Sequence, residues 1–163
     1  MEKKELGVAV IGSGRIGSLR ANMATRHPSV RFLAIADKDP ERANNLAESV
    51  TANMSSGDNL EVISHPEVTT VFVSTPEHDH VEAILQAVEL GKPVFVEKPL
   101  ALTVEDADKI IAAVEKTGVE LRIGYSRRHD RRWMLTKEQI VQGRVGEIMG
   151  ITSRVYNTRA QML

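Results

Sequence analysis

Leu6-Gly7-Val8-Ala9-Val10-Ile11-Gly12-Ser13-Gly14-Arg15-Ile16-Gly17 is the stretch that decides the fold of this 163-residue chain. Leu6 to Ile11 (LGVAVI) is almost continuously apolar and rich in β-branched residues, the pattern of a strand covered on both faces. The glycines then satisfy G-x-G-x-x-G between that strand and a helix-compatible run. Each has a physical task. Gly12 permits a tight turn, Gly14 lets the backbone approach a pyrophosphate, and Gly17 allows close packing of helix on strand. Arg15 and Ile16 open the helix, whose unpaired N–H groups face the anion.

A second strand, Val30 to Ala36 (VRFLAIA), ends at Asp37, 20 positions after Gly17. A carboxylate there can accept hydrogen bonds from the adenosine ribose hydroxyls. The same charge repels a 2′-phosphate, so NAD is expected as cofactor. Lys38 next door could offset part of the repulsion, which leaves NADP possible.

Working outward, further apolar runs at Thr70 to Ser74, Pro93 to Val96 and Glu120 to Gly124 alternate with segments of helical period. That alternation marks a parallel sheet wrapped by crossover helices, an α/β doubly wound NAD(P)-binding Rossmann fold. Asp39 followed by Pro40 opens one helix as N-cap and first-turn proline. After Pro76, Val81, Ile84, Leu85 and Val88 predict a buried stripe, with Gly91 and Pro93 as the stop. Thr103 with Asp106 resembles a capping box, with Val104, Ala107, Ile111 and Val114 as the buried stripe and Gly118 as the end. Between Thr51 and Pro66 the break SSGDN predicts a weak third strand and one helical turn.

The bulk composition narrows the function. With 42% hydrophobic and 26% charged residues, the chain can bury a real core. A net charge of -1 with mixed signs offers no basic field for nucleic acid. The partner is therefore expected to be a small molecule. The chain has no cysteine, which excludes disulfides and thiolate metal sites and fits a cytoplasmic location. The N-terminal apolar run is too short for a membrane span, so no membrane partner is expected.

After the fourth strand (Thr70 to Ser74) stands Ser74-Thr75-Pro76-Glu77-His78-Asp79-His80, and after the fifth (Pro93 to Val96) stands Glu97-Lys98-Pro99. With the glycine fingerprint, this set closely resembles the Gfo/Idh/MocA family of oxidoreductases, and argues against a methyltransferase. The resemblance extends through Gly124-Tyr125-Ser126-Arg127-Arg128-His129-Asp130 and Gly143-Arg144-Val145-Gly146-Glu147-Ile148. Glu-Lys-Pro after an apolar strand is its most family-specific element.

The resemblance implies that Ser74, Thr75 and Pro76 line the cofactor near its nicotinamide half, with His80 counted among its contacts. Glu97 would hydrogen-bond the nicotinamide ribose. Lys98 would be the catalytic lysine, also touching the cofactor, holding a substrate hydroxyl and relaying its proton while hydride passes to the nicotinamide. The substrate would be a secondary alcohol of a sugar, polyol or inositol. The Lys98-Pro99 peptide is expected to be cis, as in relatives. Family members carry Asn after the Thr-Pro pair, where this chain has Glu77.

Three segments follow: an NAD(P)-binding domain over 1–125, a connecting helix over 126–146, and 147–163 as the first strand of a C-terminal α+β substrate domain that is missing or truncated here. Catalysis by this chain alone is therefore not expected. Strand 147–156 would be left unordered or paired with another copy, and a homo-oligomer is expected. A regulator or sensor that binds NAD(P) without turnover is the alternative.

His78, Asp79 and His80 crowd one turn and would point in different directions, so capping or cofactor contact is favoured over a metal. Arg127, Arg128, Arg131 and Arg132 read as a solvated or domain-joining helix face in preference to a phosphate grip. Trp133, Met134, Ile140 and Val141 read as a packing stripe that stops at Gly143.

Overall fold

The computed structural model describes residues 5–154 and 156. They divide into two compact units, one ending at Gly124 and the other beginning at Tyr125. In the first unit six strands form one sheet: β1 (Leu6–Ile11), β2 (Val30–Ala36), β3 (Met54–Ser56), β4 (Thr70–Val73), β5 (Val94–Val96) and β6 (Leu121–Ile123). Their order is β3-β2-β1-β4-β5-β6, and every pairing is parallel. The crossovers are α1 (Arg15–Thr25), α2 (Pro40–Val50), α3 (Asn59–Ser64), α4 (His80–Glu89) and α5 (Val104–Thr117).

This order is doubly wound. From central β1 the chain runs one way through β2 and β3, then returns to β4 and continues the other way. Ligands of such sheets bind in the crevice beyond the strand ends where the direction reverses. Here that point lies between β1 and β4, next to Gly12 and Ser74.

Both faces of the sheet are covered, which explains the continuous apolar strands. Along β1, Val8 and Val10 pack with Ala21 and Ala24 of α1 and Leu46 of α2. Ala9 and Ile11 turn to the opposite face and pack with Val62, Ile84 and Ile110 from α3, α4 and α5. The alternation follows from the two-residue period of a strand.

Local end signals act as expected. Asp39 accepts from the Glu41 and Arg42 N–H groups ahead of α2. Thr103 accepts from the Asp106 N–H ahead of α5, and Gly118 ends that helix at φ +69°. The Thr51 to Pro66 stretch holds short β3, then α3 capped by Asp58. Ser74, Pro93, Glu120 and Gly124 fall just outside the strands they were expected to end, a difference of one residue.

Two buried faces differ from expectation. On α4 the buried residues are His80, Ala83, Ile84, Ala87 and Val88, while Val81 and Leu85 are half-buried. On α5 Ile110 is the buried residue, and Val104 and Ile111 are 71% and 47% exposed. Ala107 and Val114 belong equally to a stripe through Ile111 and to one through Ile110. Spacing alone therefore does not select the face; packing against α4 and the sheet does.

The second unit corrects the expected helix over 126–146. A 3-10 turn spans Ser126–His129, and α6 (Arg131–Val141) starts anew after it. Asp130 causes the restart, since its carboxylate accepts the Arg132 N–H at 2.9 Å and the Arg132 side chain at 2.9 and 3.2 Å. These bonds hold its carboxyl below the usual aspartate range. Arg128 lies over the Tyr125 ring. The expected packing stripe is exposed, at 45% for Trp133 and 74% for Val141.

Over 147–156, the segment read as a strand left without its sheet, no strand forms among the described residues 147–154 and 156. Ile148, Met149, Ile151 and Tyr156 are exposed there. A lone strand has no ladder for its N–H and C=O groups, so apolar pattern alone does not produce one. The rest of that segment, 155 and 157–163, lies outside the described residues. Among the described residues no helix is long and apolar enough to cross a membrane.

Candidate dinucleotide site

The turn after β1 separates glycines that the protein itself needs from one that it does not. Gly12 sits at φ +98°, and a Cβ there would lie 2.8 Å from the Ser74 and Thr75 backbone. At Gly17 a Cβ would fall 1.7 Å from the Gly12 carbonyl oxygen. Both positions are fixed by close approach of the chain to itself. A Cβ at Gly14 would meet only the Arg42 guanidinium, at 3.7 Å. Gly14 has an ordinary extended conformation, φ -72° and ψ -172°. Its missing side chain clears space in the cleft and relieves no clash within the fold.

That space opens onto the start of α1, an 11-residue helix with no side-chain cap and no acidic residue in its first turn. Its first N–H groups are therefore available to an anion, which the helix dipole favours. Asp37 stands beside the turn. Its Oδ2 accepts the Ser13 N–H at 2.6 Å and its Oδ1 the Asp39 N–H at 3.0 Å. The carboxylate is thus aimed by the fingerprint loop itself, while lone pairs remain for ribose hydroxyls.

The cleft has a volume of about 530 Å³, within the range of small-molecule sites. Of the residues expected at the cofactor, Gly12, Gly14, Arg15, Ile16, Asp37, Lys38, Ser74, Thr75 and Pro76 line it. Asp39, Arg42 and Asn59 line it too and were not expected there, as does Asp79, from the turn read as capping or cofactor contact. The buried hydroxyls of Ser13, Ser74 and Thr75 have no hydrogen-bond partner among the described residues. Buried polar atoms are rarely left unpaired. Hydroxyls waiting around a glycine-cleared, anion-ready turn fit a polyhydroxylated, diphosphate-bearing guest. A larger hollow of about 810 Å³, lined by Leu6, Met23, Phe72 and Phe95, is mainly apolar and holds no residue of the fingerprint.

The remaining expected residues stand apart from the cleft lining. Gly17 acts by packing, as described. His80 is 1% exposed, so it is not a surface contact. Its Nδ1 lies 2.9 Å from the Pro99 carbonyl and its Nε2 3.1 Å from the Thr75 carbonyl. The ring therefore ties the loop after β4 to the loop after β5. Glu97 pairs through Oε1 with Arg20, whose guanidinium also lies over the Phe95 ring. Nothing in the sequence singled out Arg20, which is 77 positions from its partner. Lys98 is exposed and joined to Pro99 by a cis peptide, as expected.

In the cluster His78-Asp79-His80, His78 Nε2 stays 3.6 Å from Asp79 Oδ2, while His80 turns inward. His80 is buried, His78 is exposed, and Asp79 Oδ1 accepts from Lys38 Nζ at 2.5 Å. That bond raises the Lys38 ammonium above the usual lysine range.

Comparison with known proteins gives the family. Residues 6–125 match the family GFO_IDH_MocA, described as an oxidoreductase family with an NAD-binding Rossmann fold. The chain belongs to the Gfo/Idh/MocA family. Within it, the chain is 34% identical over 140 residues to the scyllo-inositol 2-dehydrogenase (NAD(+)) of Bacillus subtilis, covering 85% of this chain and 41% of that protein. It superimposes with a TM-score of 0.82 and 25% identity on scyllo-inositol dehydrogenase from Lactobacillus casei with bound NAD(H) and scyllo-inositol, covering 89% of this chain and 43% of the other. A levoglucosan dehydrogenase in complex with NADH and levoglucosan gives a TM-score of 0.82 at 28% identity, covering 89% of this chain and 41% of the other. The chain spans 41–45% of the length of the curated relatives that it matches. As a member of the Gfo/Idh/MocA family, it carries that family's NAD-binding Rossmann fold over residues 6–125.

Proposed function

We propose that this chain is the NAD-binding part of an oxidoreductase that acts on a secondary alcohol of an inositol, sugar or polyol. Lys98 carries the reading. It follows β5, at the same end of the parallel sheet as the glycine turn after β1. Through Pro99 and His80 its loop is anchored to Thr75, which lines the cleft. The named relatives act on inositols and an anhydrosugar, and this supports the substrate class.

In this reading the N–H groups at Gly14 and the start of α1 hold the diphosphate, and Asp37 holds the adenosine ribose. Thr75 and Ser74 offer hydroxyls towards the nicotinamide half. Glu97 keeps Oε2 for the nicotinamide ribose while Arg20 occupies Oε1. When bound, the nicotinamide would supply the hydride acceptor or donor. Lys98 Nζ would hold the substrate hydroxyl and pass its proton on. The domain limits at 125 and 146, a substrate-binding region following them, and a homo-oligomer belong to the same proposal.

The test is NADH formation with a panel of inositols, sugars and polyols by the protein as its gene encodes it. Lys98→Ala is expected to lower kcat by about 10²-fold or more, the weight of a positioned proton-transfer group. Activity that survives this substitution overturns the role of Lys98. The 163-residue chain alone is expected to stay at background, because a single lysine does not orient a substrate. Robust turnover by it would show that no further group is needed.

A further inference from the structure

Lys38 follows β2 and Asp79 ends the 3-10 turn after β4, so the two loops flank the glycine turn that follows β1. Their side chains meet across it, Lys38 Nζ donating to Asp79 Oδ1 at 2.5 Å. Both line the same cleft as Gly14 and Asp37. The Asp79 side chain is 17% exposed and that of Lys38 66%, so the carboxylate is the fixed member and the flexible ammonium reaches to it. Asp79 is not spent on capping, for its side chain accepts no N–H of α4.

NADP differs from NAD by a phosphate on the adenosine ribose, which would arrive beside Asp37 and need a cation. Lys38 is the adjacent residue, but Asp79 engages it, with Glu82 adding a second negative charge nearby. Arg15 lines the cleft at the start of α1, and Arg42 lines it beside Asp37, its Nη2 3.9 Å from Asp37 Oδ2. Lys38 and Arg42, the two cations nearest Asp37 in the chain, are thus each already answered by a carboxylate.

We propose that Asp79 determines nucleotide specificity: by holding Lys38 across the cleft, it withholds the cation that a 2′-phosphate requires and so favours NAD over NADP. Asp79 acts through Lys38 and is a positioning residue. The inference rests on the cleft being the dinucleotide site.

Calorimetric titration of the 163-residue chain with NAD and with NADP tests it, using Asp79→Asn, Asp79→Glu and the double variant Asp79→Asn/Lys38→Ala. Asp79→Asn is expected to improve NADP binding relative to NAD by about fivefold, the scale of an exposed ion pair. Adding Lys38→Ala should erase that gain, and Asp79→Glu, which keeps the charge, should restore the wild-type ratio. Raising salt should shrink the gain, because the contact is exposed. A ratio in Asp79→Asn within about twofold of wild type overturns the proposal, as does a gain that persists without Lys38. Wild-type chain that binds neither nucleotide overturns the dinucleotide reading and this inference with it. NAD binding with an unmoved ratio overturns the inference alone.

Discussion

Replacing Gly14 by Ala should abolish NAD binding while leaving the fold intact, whereas the same change at Gly17 should damage the fold first. The added methyl at 14 meets nothing closer than 3.7 Å, and the backbone there suits any residue. Two small effects oppose each other. Losing a glycine from the unfolded chain stabilises by about 0.4–1 kcal/mol, and alanine is a poorer N-cap by about 1 kcal/mol. The net change in the free protein is therefore within about 1 kcal/mol of zero. In the proposed function the methyl nevertheless occupies the space a pyrophosphate needs. In wild type, NAD at 100 times its Kd adds about 2.7 kcal/mol, or roughly 5–10 °C in Tm for a chain of this size. In Gly14→Ala that increment should vanish. At Gly17 the methyl would sit 1.7 Å from a backbone oxygen, which no rotamer relieves. The expected cost is about 3 kcal/mol or more, visible without any ligand. Differential scanning fluorimetry across an NAD titration reads both variants. A Gly14→Ala protein that still shifts with NAD like wild type, or one that fails to fold, would refute the division of labour among the three glycines.

Two stability predictions follow from the helices. Ile110→Ala should cost about 2–5 kcal/mol because the side chain is fully enclosed, whereas Ile111→Ala, half in solvent, should stay within about 0.5 kcal/mol; equal losses on chemical denaturation would restore the other face of α5. Asp39→Ala should cost about 1 kcal/mol through the two N–H groups it caps, lowering Tm by roughly 2–4 °C, and an unchanged melting curve would show that Pro40 alone starts α2.

The amino-acid sequence by itself determined the features whose causes lie within a few residues. The Asp39-Pro40 start of α2, the Thr103 cap and Gly118 stop of α5, the tight turn at Gly12 and the apolar runs of β1 and β2 all follow from local stereochemistry and burial period. The glycine spacing with Asp37 brought out one end of the candidate cleft, because turn, helix start and strand end are close along the chain. Tertiary structure alone decided which side chains meet when distant loops converge at the end of the sheet. Lys38 and Asp79 are 41 positions apart, and Arg20 and Glu97 are 77 apart. Neither pairing leaves a periodic trace, since it depends on the strand order and on which rotamers the packed loops allow. His80 shows the same limit: its motif placed it at the cofactor, but the fold buries it between two carbonyl groups. No strand forms over 147–154 for a related reason, since a strand is completed by its neighbour and not by its own apolar pattern.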